Sequence, residues 1–112
     1  MKDVGIYLVD IRNAIVSILS FVDGMSYNDF EEDDKSISAV VRKFQIMGEV
    51  VKKVPADFRE AHPSVPWSSI ARMRDILIHQ YNEVDNKILW DAITDDLPGL
   101  LSHVNVILEE VK

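Results

Sequence analysis

The sequence predicts an all-α protein, an antiparallel bundle of four to five main helices forming one domain over residues 1–112. Three observations carry that expectation. Apolar residues recur at steps of three and four, the spacing of one helix face. The chain holds only 4 Gly and 4 Pro, so little interrupts long helices. The breaks that do occur are short, which turns successive helices back on one another.

From about Val4 to Val22 the apolar set is Val4, Leu8, Ile11, Ile15, Ile18 and Val22, a seam for packing against other helices. Asp23-Gly24 ends it, with Gly free to adopt a left-handed C-cap. Ser26 caps a short next helix with Asp29 in reply, a variant of the capping box, and Tyr27 and Phe30 tuck it onto the core. Glu31 to Asp34 is an acidic run suited to the positive end of the following helix. It could instead dock a basic partner, but short charge runs are more often solvated helix starts. The long helix that follows places Ile37, Val41, Phe44, Gly48 and Val51 on one stripe. Gly inside a helix costs about 1 kcal/mol against Ala. At a seam, Gly48 lets another helix come close. Lys52, Lys53 and Pro55 close the helix with the charge its C-terminus prefers.

Pro55 to Ala61 makes one or two turns of helix, and His62-Pro63-Ser64-Val65-Pro66 is a stiff connector. His62, without a partner at metal-ligand spacing, is expected to be ordinary surface. Pro66-Trp67 opens the next helix. Asn82-Glu83-Val84 marks a break, and Asp85 caps a helix carrying Ile88, Leu89, Trp90 and Ile93. Thr94-Asp95-Asp96 ends or bends it. Leu97-Pro98 starts the last helix, apolar at Leu100, Leu101, Val104, Ile107, Leu108 and Val111. His103 in that helix is expected to be a packed or surface residue rather than a catalytic one.

A chain of 112 residues supports one core, and 47% apolar residues exclude a disordered polymer. The absence of cysteine excludes disulfides and thiolate metal sites, and fits a reducing cytoplasm. Asp3, Asp10 and Arg12 make the N-terminus unlike a signal peptide. No uninterrupted apolar run approaches the ~18 residues of a membrane span. A cytoplasmic protein with no membrane association is expected. The net charge of −7 gives no general attraction to nucleic acid. Any RNA or DNA contact therefore needs a local basic site, or a dimer that gathers basic residues. No GxGxxG, P-loop, HExxH or Cys cluster is present, so neither cofactor nor metal is expected.

The stretch from Ser68 to Glu83, SSIARMRDILIHQYNE, departs from a plain amphipathic helix. Stepping roughly 100° per residue from Ile70, the residues Trp67, Ile70, Ala71, Met73, Ile76, Leu77 and Ile78 form an apolar arc. Arg74 and Tyr81 fall near its middle, while Asp75 and His79 lie opposite, one turn apart. A guanidinium there needs a buried carboxylate, a second subunit or an anionic ligand. The plainer alternative is an Arg whose stem packs and whose head reaches water.

Arg74-Asp75-Ile76-Leu77-Ile78-His79-Gln80-Tyr81 resembles the R-x4-H-x-Y motif of HepT-like proteins, members of the HEPN superfamily of helical ribonucleases. The chain from Ile11 onward, Ile46 through Lys53, and Trp67 to Pro98 with Trp90-Asp91 and Asp95-Asp96-Leu97-Pro98 are similar to the family's other segments, so the resemblance covers nearly the whole chain. It implies a bundle of the nucleotidyltransferase substrate-binding-subunit type, forming a homodimer whose motif helices face a shared cleft. It implies a metal-independent endoribonuclease toxin acting on RNA. The partner it implies is a minimal nucleotidyltransferase antitoxin that transfers AMP from ATP onto Tyr81. The alternative is a non-catalytic helical binding subunit of such a transferase.

The chemistry suits the residues. His79 titrates near neutrality and can move the 2′-OH or leaving-group proton. Arg74 stays charged, with a planar fork that matches phosphate oxygens. Asp75 is placed to orient His79 in support. Five steps of ~100° put Arg74 and His79 about 140° apart on an ideal helix. Either the helix loosens near His79, or residues of two chains combine. The second is preferred, and a dimer interface on the arc would also account for Arg74 among apolar neighbours. Tyr81 at a helix end is otherwise an ordinary amphipathic residue.

Overall fold

A computed structural model describes residues 4–79 and 85–111, the side chains of Ile78 and His79 excepted. Among these residues the fold is an antiparallel all-α bundle of the HEPN-like kind, without strands. In order come α1 (Val4–Phe21), α2 (Tyr27–Glu31), α3 (Asp34–Lys53), α4 (Ala56–Ala61), α5 (Trp67–His79), α6 (Asn86–Asp91), a π-helical turn (Ala92–Asp96) and α7 (Leu97–Glu110). The long helix α3 packs on both α1 and α5, and α1 packs on both α3 and α7.

Helix ends follow the local chemistry of the sequence. Gly24, after α1, takes φ +78°. At α2 the Asp29 amide donates to Ser26 Oγ at 3.2 Å, and the Ser26 amide donates to the Asp29 carboxylate at 3.1 Å, a complete capping box. Asp33 starts α3, accepting from the Ser36 hydroxyl at 2.9 Å and the Ser36 amide at 3.2 Å. Those bonds, the hydroxyl's first, hold the Asp33 carboxyl below its ordinary value. Asp85 caps α6 through the Lys87 amide at 2.8 Å.

The seam of α1 is buried at Leu8, Ile11, Ile15 and Ile18. By length and composition α1 alone among the described helices could cross a membrane; here that stripe lies inside the bundle. Helix α3 buries a wider face than its predicted stripe, adding Val40, Met47 and Val50 to Phe44, Gly48 and Val51. It is flanked on two sides, so one stripe does not suffice. Two expected core residues are not core: Ile88 is 60% exposed and Val111 is also exposed. The bend at Thr94-Asp95-Asp96 is the π turn, in which the Leu97 amide reaches back to the Ala92 carbonyl. Pro98 follows directly and has no N–H to continue the α ladder.

His62 is not ordinary surface. Its ring stacks on Phe58 at a centroid distance of 4.2 Å, and Nδ1 lies 3.0 Å from the Phe58 carbonyl oxygen. Its own carbonyl accepts from Trp67 Nε1 at 3.0 Å, and Nε2 lies 3.5 Å from Glu110. It thereby ties α4, α5 and α7 together. The signal was Phe58 one turn earlier, a stacking partner rather than a metal ligand.

Gly48 decides how closely α3 and α5 approach. A Cβ at this position would overlap Arg74 Cβ, stand 2.7 Å from Arg74 Cγ and lie 3.3 Å from the Ile70 carbonyl oxygen. Gly48→Ala gains about 1 kcal/mol of helix propensity. Overpacking costs typically ~1–3 kcal/mol. The atom struck is the root of a side chain, which moves only with its helix, so overpacking wins. The expected result is a melting temperature lower by several degrees. An unchanged or raised melting temperature in calorimetry would mean the two helices separate freely.

Candidate functional site at the junction of α3 and α5

The sequence places Arg74 on the inward side of α5, and the gap over Gly48 gives its stem a place to lie. The side chain is 24% exposed, with its head at the edge of the helix pair. Arg74 Nη1 donates to Asp75 Oδ1 at 3.1 Å, and Nη2 stands 3.5 Å from Glu49 Oε1. Nε is buried and has no hydrogen-bond partner. The partners of the guanidinium are thus two carboxylates of its own chain, one from each helix. No second subunit is needed to account for Arg74 among apolar residues, which removes that support for a dimer interface on the arc.

Asp75 has cationic partners on its own helix and on α3, while its expected pairing with His79 falls on a side chain outside the described residues. Lys52 Nζ donates to Asp75 Oδ1 at 2.8 Å, so one carboxylate oxygen receives both an ammonium and a guanidinium. The hydrogen bond from Lys52, then that from Arg74, holds the Asp75 carboxyl below its usual range. The pairs are half-exposed, and solvent screening leaves each with little effect on stability. They orient side chains more than they stabilise the fold.

The structure therefore brings Arg74 and Asp75 together. The α5 backbone remains α-helical through His79, whose side chain is outside the described set, and Tyr81 lies outside the described residues. Glu49 and Lys52 belong to this cluster and were not singled out from the sequence. Their signal was an i, i+3 pair beginning beside Gly48, where α3 touches α5. Lys52 had been accounted for only as a helix-end charge. His103 is exposed, on a groove of about 450 Å³ that it shares with Asp95, Asp96 and Met73. Among the described residues no group of three His, Cys, Asp or Glu is arranged to hold a metal ion.

The fold and this junction define a HEPN-like helical bundle with a cationic fork on its third and fifth helices. Comparison with known proteins narrows the class. The family profile described as Ribonuclease HepT-like matches residues 11–107. "Probable ribonuclease HepT" of Thermococcus cleftensis is 45% identical over 94 residues, covering 84% of this chain and 86% of that one. "Putative RNase TTE0752" of Caldanaerobacter subterraneus subsp. tengcongensis is 41% identical over 112 residues, covering 100% of both chains. "Putative RNase MJ0127" of Methanocaldococcus jannaschii is 35% identical over 111 residues, covering 99% of this chain and 92% of that one. No solved structure matches. The chain belongs to the HepT-like ribonuclease family.

The lowered Asp75 pKa fixes a pH dependence. Its contribution to stability is complete above the ordinary value of 3.8 and is lost as pH falls through the depressed native value. Asp75→Asn should therefore be less stable than wild type at neutral pH, with the gap closing in acid. Urea midpoints measured from neutral pH down to about pH 3 test this. A gap that stays constant over the whole range would show that the carboxylate charge is not what Lys52 and Arg74 hold.

Proposed function

We propose that this protein is a metal-independent endoribonuclease toxin, one domain over residues 1–112, working as a homodimer in the cytoplasm. RNA is cut at a site composed from both chains by Arg74 and His79. A minimal nucleotidyltransferase antitoxin silences it by AMP transfer to Tyr81. The observation that carries the reading is the fixed presentation of Arg74 at the α3–α5 edge in a chain of the HepT-like ribonuclease family.

His79 takes the proton of the 2′-OH, O2′ attacks phosphorus, and the P–O5′ bond breaks. The departing 5′-oxygen requires a proton, which an imidazole can return. Arg74 meets the charge that gathers on the phosphoryl oxygens, where a preorganised cation acts most strongly. DNA has no 2′-OH and is not cut by this route. Because α5 stays regular through His79, helix positions 74 and 79 remain about 140° apart. One straight helix does not aim both at a single phosphate, which favours Arg74 of one protomer acting with His79 of the other. The net charge of −7 favours a second reading, a non-catalytic subunit that presents Tyr81 to the transferase.

Electrophoresis of RNA incubated with the purified protein separates the two. The expected outcome is cleavage by wild type and loss of at least two orders of magnitude in His79→Ala, the scale of general acid–base catalysis. Mixing Arg74→Ala chains with His79→Ala chains should restore part of the activity. Mixed dimers that form and remain inactive would exclude the composite site.

AMP on Tyr81 would add negative charge and bulk two residues from His79, repelling RNA and filling the cleft. Tyr81→Phe should keep its nuclease activity and escape silencing by the transferase with ATP. Equal silencing of the Phe variant, followed by mass spectrometry and RNA cleavage, would remove this role.

A further inference from the structure

We propose that Lys52 is a phosphate-binding residue of the site, acting with Arg74 to grip one phosphodiester of the RNA. This rests on the nuclease reading for the identity of the ligand, but the anion site itself stands on the structure. Lys52 Nζ and Arg74 Nη1 converge on one atom, Asp75 Oδ1, at 2.8 Å and 3.1 Å. A non-bridging phosphate oxygen is the same kind of acceptor, anionic and able to take several donors. The point occupied by Oδ1 is thus already addressed by an ammonium from α3 and a guanidinium from α5.

Asp75 is suited to yield that place. Its side chain is 45% exposed and that of Lys52 is 44% exposed, so the carboxylate can turn into water when a phosphate arrives. Half-exposed ion pairs of this kind hold weakly. Glu49 stays beside Arg74 Nη2 and keeps the fork in position. The overall charge makes the pair necessary. A chain of net charge −7 does not draw in a polyanion by its general field, so the phosphate must be held by cations that meet at one point. Lys53, next along α3, joins no ion pair among the described residues and has no such convergence.

The test compares wild type, Lys52→Gln, Lys52→Arg and Lys53→Gln, with folding checked by circular dichroism. Inorganic phosphate replacing chloride at fixed ionic strength stabilises every variant generally by exclusion from the surface, and should raise the melting temperature of wild type, Lys52→Arg and Lys53→Gln by more than that of Lys52→Gln. A simple staple between α3 and α5 would lower the melting temperature of Lys52→Gln equally with and without phosphate. Binding of a 2′-O-methyl oligonucleotide, which cannot be cleaved, should weaken in Lys52→Gln. Its slope of log affinity against log salt should fall by about 0.7, the value for one phosphate contact on a single strand. Lys52→Gln matching Lys53→Gln in both measurements overturns the proposal. RNA cleavage that depends on His79 but keeps its KM in Lys52→Gln also overturns it, and leaves the nuclease reading standing. A phosphate response that follows Lys52 in a protein that cuts no RNA has the reverse meaning: the anion site stands and the nuclease reading falls.

Discussion

The missing side chain at residue 48 governs how the rest of this bundle is arranged. Because nothing projects from Gly48, the stem of Arg74 lies directly on the α3 backbone, and α5 follows it inward. Ile70 and Leu77 of α5 are buried in the same core as Phe44, Met47 and Val51 of α3, the helix on which α5 packs. Fully burying such side chains stabilises by roughly 1.5–3 kcal/mol each. The exposed ion pairs around Arg74, screened by water, add much less. Apolar contact therefore holds the helices together, and the charges fix where the guanidinium points. A site that must present a cation at a defined place gains more from this division than from a strong salt bridge, because the cation is not locked away from its ligand.

Helices and their ends were legible in the sequence because the signals are local. Gly24, Ser26 with Asp29, and Asp85 each act within a few residues, and each does in the structure what its chemistry suggests. The α1 seam was legible for a related reason: the helix repeat fixes which residues share a face, and Leu8, Ile11, Ile15 and Ile18 are buried accordingly. The misjudged positions depend on neighbours distant in sequence. Ile88 is apolar and exposed because α6 is short and leans on α2 and the π turn with its other side. His62 looked like loop surface until Trp67 and Glu110 came to meet it.

The candidate site divides along the same line. Arg74 stood out because a charge in an apolar arc is anomalous within one helix. Glu49 and Lys52 did not, because charges near a helix C-terminus are commonplace and gain meaning only once α5 is laid across Gly48. Asp75 was visible, but its two cationic neighbours were not. An i, i+4 spacing names His79 as a partner, a side chain outside the described residues, while the two cations that reach Oδ1 come into view only with the fold.

The same oxygen of Asp75 links the resting ion pairs to ligand binding. Lys52 and Arg74 hold the carboxylate in its charged form and depress its pKa, so it stays paired while no ligand is present. If a phosphate displaced the carboxylate, Asp75 would be released at the moment the substrate arrived. Binding of the anion and release of Asp75 would then be one event, linked through a single oxygen. That linkage would let an acidic protein keep its cations paired while idle, and expose them only to a ligand able to take the place of Asp75.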